Sequence, residues 1–195
     1  MTEFVGFPKL ARLNREIIIT EKADGTNAQV VVNDTGDDLL ACSRNRFITP
    51  EDDNHGFAKW VQENKTELLR LGPGRHYGEW WGSGIQRGYG LTKGEKRWSL
   101  FNVSRWGNKF MRPECCGVVP TLYQGVFNFD EINEVIADLV KNGSRLSPGF
   151  MRPEGIVVFH TAGGHLYKWT FDGDGVEHKK NKTSHDYLPG EVASA

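Results

Sequence analysis

With 195 residues, 38% of them hydrophobic and 25% charged, the chain has the size and make-up of one folded domain with a sizeable core, and disorder as a whole is excluded. Its 24 Lys+Arg against 25 Asp+Glu leave a formal net charge of −1, which argues against non-specific coating of nucleic acid or membrane and makes any polyanion site a local one. The longest apolar runs, such as Gly155 to Phe159, fall far short of the ~20 residues of a membrane span, and Met1 to Arg15 has no apolar core of signal type, so a cytoplasmic protein is expected, with no membrane partner.

The first predicted element is a strand at Ile17 to Ile19, followed by a polar Asp-Gly turn and a second β-branched strand, Ala28 to Val32. Asn33 to Asp38 reads as a turn and Leu39 to Ser43 as the returning strand of a hairpin. From about Asn54 to Leu71 the apolar residues Phe57, Trp60, Val61, Leu68 and Leu71 recur near helical spacing, until Gly72-Pro73-Gly74 stops the element. Arg75 to Trp81 and Arg97 to Trp106 read as strands around a glycine-rich loop, Gly82 to Gly94. Val118 to Phe127 reads as one more strand. In the helix that follows, Asn128 and Glu131 form a capping signature, and Phe129, Ile132, Val135, Ile136, Leu139 and Val140 keep a 3.6 period until Gly143. Gly155 to His160 and His165 to Phe171 form a hairpin around Thr161 to Gly164, with His160 and His165 as cross-strand neighbours rather than metal ligands. Beyond Asp172 the chain is polar and charged and is expected to pack little.

No composition shift marks a second domain, and two helices among many short strands do not give a regular βαβ rhythm. The expected class is an antiparallel α+β domain spanning 1–171, with a polar tail at 172–195. Phe-Met-Arg-Pro-Glu occurs twice, at Phe110 to Glu114 and Phe150 to Glu154, without a third copy, and reads as coincidence. Cys42, Cys115 and Cys116 are too few and wrongly spaced for a disulfide framework or a zinc site and read as reduced thiols.

There is no GxxxxGK[ST] phosphate loop, no HExxH and no GxSxG. Gly82-Ser83-Gly84-Ile85-Gln86-Arg87-Gly88 misses GxGxxG by one residue. What stands out is Glu21-Lys22-Ala23-Asp24-Gly25-Thr26-Asn27, a lysine flanked by acids between two β-branched strands. It reads either as a surface hairpin with a solvated lysine or as a nucleophilic lysine held at the end of a rigid strand. Four more clusters follow in order: Ser43-Arg44-Asn45-Arg46, then His76-Tyr77-Gly78-Glu79-Trp80-Trp81-Gly82, then Ser99-Leu100-Phe101-Asn102-Val103, then Arg152-Pro153-Glu154-Gly155-Ile156-Val157-Val158. Leu166-Tyr167-Lys168-Trp169 closes the series.

Together these resemble the ordered motifs of the covalent nucleotidyltransferases, the superfamily of ATP-dependent polynucleotide ligases and capping enzymes. EKADGTN, YGEWWGSGIQ and PEGIVV are most similar to the ATP-dependent RNA ligases of RNA-repair type, over about Glu16 to Phe171. The resemblance implies an adenylation domain of two mainly antiparallel sheets, with flanking helices around an ATP cleft. It implies ATP, as AMP on Lys22, with Mg²⁺ or Mn²⁺, acting on RNA ends, whether in nicked duplex or single strands. AMP would pass from Lys22 to a 5′-phosphate, and a 3′-hydroxyl would displace it. A free lysine has a pKa of ~10.4, so positive charge or desolvation must favour its neutral form.

By the same resemblance, Lys22, Glu154 and Lys168 are the catalytic residues. Glu21, Lys22, Arg44, Glu79, Phe101 and Lys168 contact the nucleotide, with Phe101 stacking on adenine. Glu79 and Glu154 bind metal. Asn27 with Arg44 or Arg46 meets ribose or the RNA end, in line with the fit of arginine to phosphate oxygens.

Two departures stand against the pattern. The last motif usually carries a second lysine where this chain has Thr170, with Lys179, Lys180 or Lys182 as conceivable substitutes. Only a short tail follows Phe171 where such ligases append a clamping domain, so tight autonomous binding of a duplex is not expected, and an accessory protein or an oligomer could clamp the nucleic acid. Arg87, Lys93, Lys96 and Arg97 could help hold a strand. The alternatives are a DNA ligase, a degenerate module that binds ATP or RNA ends without joining them, and, more distantly, a GTP-using capping enzyme.

Overall fold

The computed structural model describes residues 2–174. Among these residues ten strands fall into two sheets. β1 (Glu16–Lys22), β8 (Thr121–Val126), β9 (Gly155–His160) and β10 (His165–Thr170) form a four-stranded antiparallel sheet in the order β10-β9-β1-β8. β2 (Thr26–Val32), β3 (Leu39–Ser43), β4 (Phe47–Ile48), β5 (Gly74–Gly82), β6 (Lys96–Leu100) and β7 (Cys116–Val118) form the six-stranded sheet, in the order β4-β3-β2-β5-β6-β7. Among the described residues only the short β6–β7 pair is parallel. This is the expected α+β class, and the expected hairpin pairs His160 with His165 across its strands.

Each sheet buries one face under helix. In the larger sheet, Ala28, Val30 and Val32 alternate inward along β2 and pack with Trp80, Trp98 and Leu100 against Phe57, Val61 and Leu68. Those last three lie on α1 (Phe57–Glu63) and α2 (Lys65–Leu68). In the smaller sheet, Ile17, Ile19, Ile156 and Val158 pack against α4 (Phe129–Asn142), whose Leu139 is fully buried. The Asn128 side chain accepts from the Asp130 N–H, and the helix ends at Gly143, as its sequence indicates. Among the described residues no helix is long and apolar enough to cross a membrane.

Three predicted elements come apart. The helix expected over 54–71 breaks at Asn64, where the Asn64 side-chain amide donates to the Trp60 carbonyl at 2.8 Å, and a 3-10 turn at Leu69–Leu71 finishes it. Asparagine competes locally with the helical backbone, and the break turns the second half separately onto the core. The strand expected to run from Arg97 to Trp106 stops at Leu100, because the Asn102 side chain accepts from the Arg105 N–H and starts α3 (Val103–Trp106). The strand expected over 118–127 is two strands in different sheets, β7 and β8. Between them Pro120, with no N–H to give a ladder, offers its carbonyl to Glu21 N at 3.0 Å.

Candidate active site

The chain crosses from one sheet to the other between Lys22 and Thr26, and the site is built around that crossing. Lys22 is the last residue of β1, paired with Gly155 of β9. Its Nζ donates to Glu154 Oε2 at 2.6 Å, with both side chains mostly covered. The Asp-Gly turn then rests on the end of β5: a Cβ on Gly25 would meet the Trp80 carbonyl oxygen at 2.3 Å, so only glycine allows this approach. Gly25 donates its N–H to Glu79 Oε1 at 3.0 Å.

Glu79 is paired with Asn27 on one side and Ser99 on the other. Period-two alternation therefore puts Asn27, Glu79 and Ser99 on the face of the larger sheet opposite Trp80 and Trp98. Phe101 continues that alternation beyond β6, held by its N–H on the Tyr77 carbonyl at 2.9 Å and 38% exposed. Arg44 follows the Ala28–Ser43 pair, which brings it to the Asn27 position, and its charge is felt at Glu79. Burial pushes the Glu79 carboxyl up to about 7 and the negative charge of Glu154 adds to the rise, against the Gly25 hydrogen bond and the positive charges of Lys22 and Arg44.

On the smaller sheet Lys168 lies opposite Val157, which lies opposite Thr20. Lys168 therefore shares the face of Thr20 and Lys22, while its neighbour Trp169 packs with Phe171 into the core on the α4 side.

Two expected residues do not join this set. Glu21 points to the other face of β1, where it is 1% exposed and accepts from Ser144 Oγ, Arg145 N and Leu146 N. Burial raises its pKa. Strand alternation makes it the anchor of the loop after α4, leaving only its backbone on the Lys22 side. Arg46 is engaged by both Asp52 carboxylate oxygens, at 2.5 and 2.9 Å, on the exposed β3–β4 turn. Of the two arginines left open by the sequence, Arg44 is the one near Glu79.

The basic set of the glycine-rich loop also divides. Arg97 pairs with Glu95 and stacks over Trp81. Arg87 turns inward, its Nε donating to Asp24 Oδ2 at 2.9 Å. Thr170, at the position of the absent lysine, accepts from the Gly173 N–H, and its own N–H and hydroxyl bond Asp174. Lys179, Lys180 and Lys182 lie outside the described residues.

The reading from sequence missed Tyr89. It is 1% exposed, and its hydroxyl accepts from the Asp24 N–H at 3.1 Å and donates to the Lys22 carbonyl at 3.2 Å. Its ring stacks near Phe150 and meets Trp81 edge-on. Only its flanks, Gly88 and Gly90, signal a ring buried in tight backbone. In the second Phe-Met-Arg-Pro-Glu copy Phe150 packs near Tyr89 and Glu154 meets Lys22, whereas Phe110 of the first is exposed, as are Met111 and Met151. The cysteines are free, with the adjacent pair 3.8 Å apart at sulfur, and His160 bonds the Leu13 carbonyl and the Gly163 N–H.

The sequence pattern of the RNA ligase family, described as RNA ligase, matches residues 15–170. No curated protein matches the chain. Among solved structures the fold is similar to Naegleria gruberi RNA ligase in several states. A glutamate-to-alanine variant with AMP and manganese is 20% identical at a TM-score of 0.62, covering 81% of this chain and 50% of that one. A second such variant, with ATP and manganese, is 20% identical at 0.59, covering 81% and 50%. The enzyme with pyrophosphate is 19% identical at 0.57, covering 87% and 57%. The chain thus spans about half the length of those proteins, and the likeness speaks for the fold. With a family match that runs from the residue before β1 to the end of β10, enclosing Lys22, Glu79, Phe101, Glu154 and Lys168, the chain belongs to the RNA ligase family.

Proposed function

We propose that this chain is the adenylation domain of an ATP-dependent RNA ligase with Lys22 as its nucleophile. The observation that carries the reading is the Lys22–Glu154 contact at the sheet crossing, with Glu79 bonded to the turn that follows Lys22. The neutral amine attacks the α-phosphorus of ATP; a P–N bond forms and pyrophosphate leaves with the electrons of the broken P–O bond. A 5′-phosphate oxygen of the RNA then takes the adenylyl group, returning the lysine, and the 3′-hydroxyl attacks that 5′-phosphorus and expels AMP.

Two carboxylates serve this cleft, and among the described residues no cluster of three His, Cys, Asp or Glu side chains is placed to hold a metal. That donor set fits Mg²⁺ or Mn²⁺ bound beside a nucleotide, since Mg²⁺ is usually held by one or two carboxylates plus substrate phosphates. Glu154 and Glu79 would hold the ion, which when bound would supply positive charge against the phosphates. Without nucleotide, Glu154 keeps the Lys22 side chain aimed across the crossing. Phe101 offers a ring face to adenine, Lys168 a cation to the α-phosphate, and Arg44 with Asn27 polar contacts to ribose or the RNA end. With few acids or bases at hand, catalysis rests on positioning and charge neutralisation.

Incubation of the protein with α-labelled ATP and Mg²⁺, followed by denaturing electrophoresis, tests the reading. A labelled band that Lys22→Ala lacks supports it, and sealing assays on RNA and all-DNA nicks then separate RNA from DNA ligase. A degenerate binding module is the second reading, favoured by Thr170 being tied to Asp174 where the pattern has a lysine. It predicts no band in protein first freed of bound AMP.

A further inference from the structure

Arg87 lies in the glycine-rich loop, remote in sequence from every motif it touches. Its Nε bonds the Asp24 carboxylate at 2.9 Å, one terminal nitrogen donates to the carbonyls of Arg152 and Pro153 at 3.2 and 3.4 Å, and the other pairs with Asp172. Asp24 stands two residues after Lys22, the two carbonyls immediately precede Glu154, and Asp172 stands two residues after the end of β10, which carries Lys168. One guanidinium thus ties together the three segments on which these residues sit. Its side chain is only 21% exposed, so the contacts are partly shielded from water.

We infer that Arg87 is a positioning residue for adenylyl transfer, fixing the backbone that carries Lys22 against the backbone that carries Glu154. The inference rests on the ligase reading. Four acceptors in three directions suit the planar fork of arginine, and a lysine at this place could not serve them together. Tyr89, two residues on, acts on the same turn through the Lys22 carbonyl and Asp24 N–H, so the glycine-rich loop holds the turn after the nucleophile at both the side chain and the backbone of Asp24.

The test compares wild type, Arg87→Ala, Arg87→Lys, Asp24→Asn and the Asp24→Asn/Arg87→Ala double variant in single-turnover adenylation, with melting curves as control. Displacement of reacting groups by ~1 Å can cost about 100-fold, so Arg87→Ala is expected to lose about 100-fold in rate, with ATP half-saturation unchanged within about threefold. Arg87→Lys should recover little, the double variant should be no worse than the worse single one, and added guanidinium should restore part of the Arg87→Ala rate. Amide hydrogen exchange of the nucleotide-free proteins gives a second readout. Asp24 and Gly25, whose N–H groups bond Tyr89 and Glu79, should exchange faster in Arg87→Ala, with the strands of the larger sheet unchanged. A wild-type rate in Arg87→Ala, or a loss confined to ATP half-saturation or to melting, would overturn the inference. Wild type without adduct would instead sink the ligase reading, and unchanged exchange at Asp24 and Gly25 would then still overturn the positioning role.

Discussion

Lys22 Nζ and Glu154 Oε2 stand 2.6 Å apart across 132 residues of sequence. The contact is set by backbone: β1 and β9 run antiparallel until Lys22 faces Gly155, and Glu154 is the residue before it. Gly155 cannot carry a side chain there, since a Cβ would meet the Trp169 carbonyl oxygen at 2.1 Å and its φ is +154°. Lys22, its carboxylate partner and the strand of Lys168 are therefore joined through one glycine.

Lys22→Ala removes the amine proposed to form the P–N bond. Labelling by α-labelled ATP is expected to fall to background while the melting curve stays cooperative. A variant labelled at full level would end the assignment.

Glu154→Gln keeps the shape of the side chain and removes its charge. Loss of one aimed electrostatic group typically costs about 100- to 1,000-fold, and the adenylation rate should fall by that order at every Mg²⁺ concentration. A fully active, metal-dependent variant would contradict the proposed role.

Glu79 gives a pH signature. Its folded-state pKa lies near 7 against the ordinary 4.5, so between these values the folded chain holds a proton that the unfolded chain has released. Stability from this group is present below about 4.5 and is lost as pH rises through about 7, by an amount on the order of 3 kcal/mol. Glu21, raised in the same direction, adds to the trend. Melting at pH 5 and pH 8 should show a smaller gap for Glu79→Gln than for wild type. An identical gap would show that Glu79 does not titrate in this range.

Gly25→Ala and Gly155→Ala each force a Cβ into a carbonyl oxygen. Overpacking of this kind costs about 1–3 kcal/mol or more, read by denaturant titration. Gly25→Ala should also slow adenylation, because the turn that carries it follows the proposed nucleophile, Lys22.

Phe101→Ala should raise the half-saturating ATP concentration by about tenfold, the size of one aromatic–base stacking contact, and leave the maximal adduct yield close to wild type. An unchanged ATP dependence would remove Phe101 from the adenine site.

The sequence by itself determined the elements whose signals are local. The 3.6-residue apolar period between Asn128 and Gly143 is α4, and the β-branched runs at Ile17 and Ala28 are β1 and β2. The ordered motifs around Lys22, Glu79, Phe101, Glu154 and Lys168 indicated the family before any coordinate. Short-range rules fix backbone angles and periodicity, and they read well because each residue needs only its neighbours. Tertiary structure decided the rest. Pro120 divides one apolar run between two sheets, and alternation sends Glu21 into the core while Lys22 faces Glu154. Arg87, which its sequence groups with Lys93, Lys96 and Arg97 as a cation for a nucleic-acid strand, reaches Asp24 across 63 residues. Sheet membership and the partners of charged side chains depend on which distant backbones pack together, and no local pattern encodes that choice.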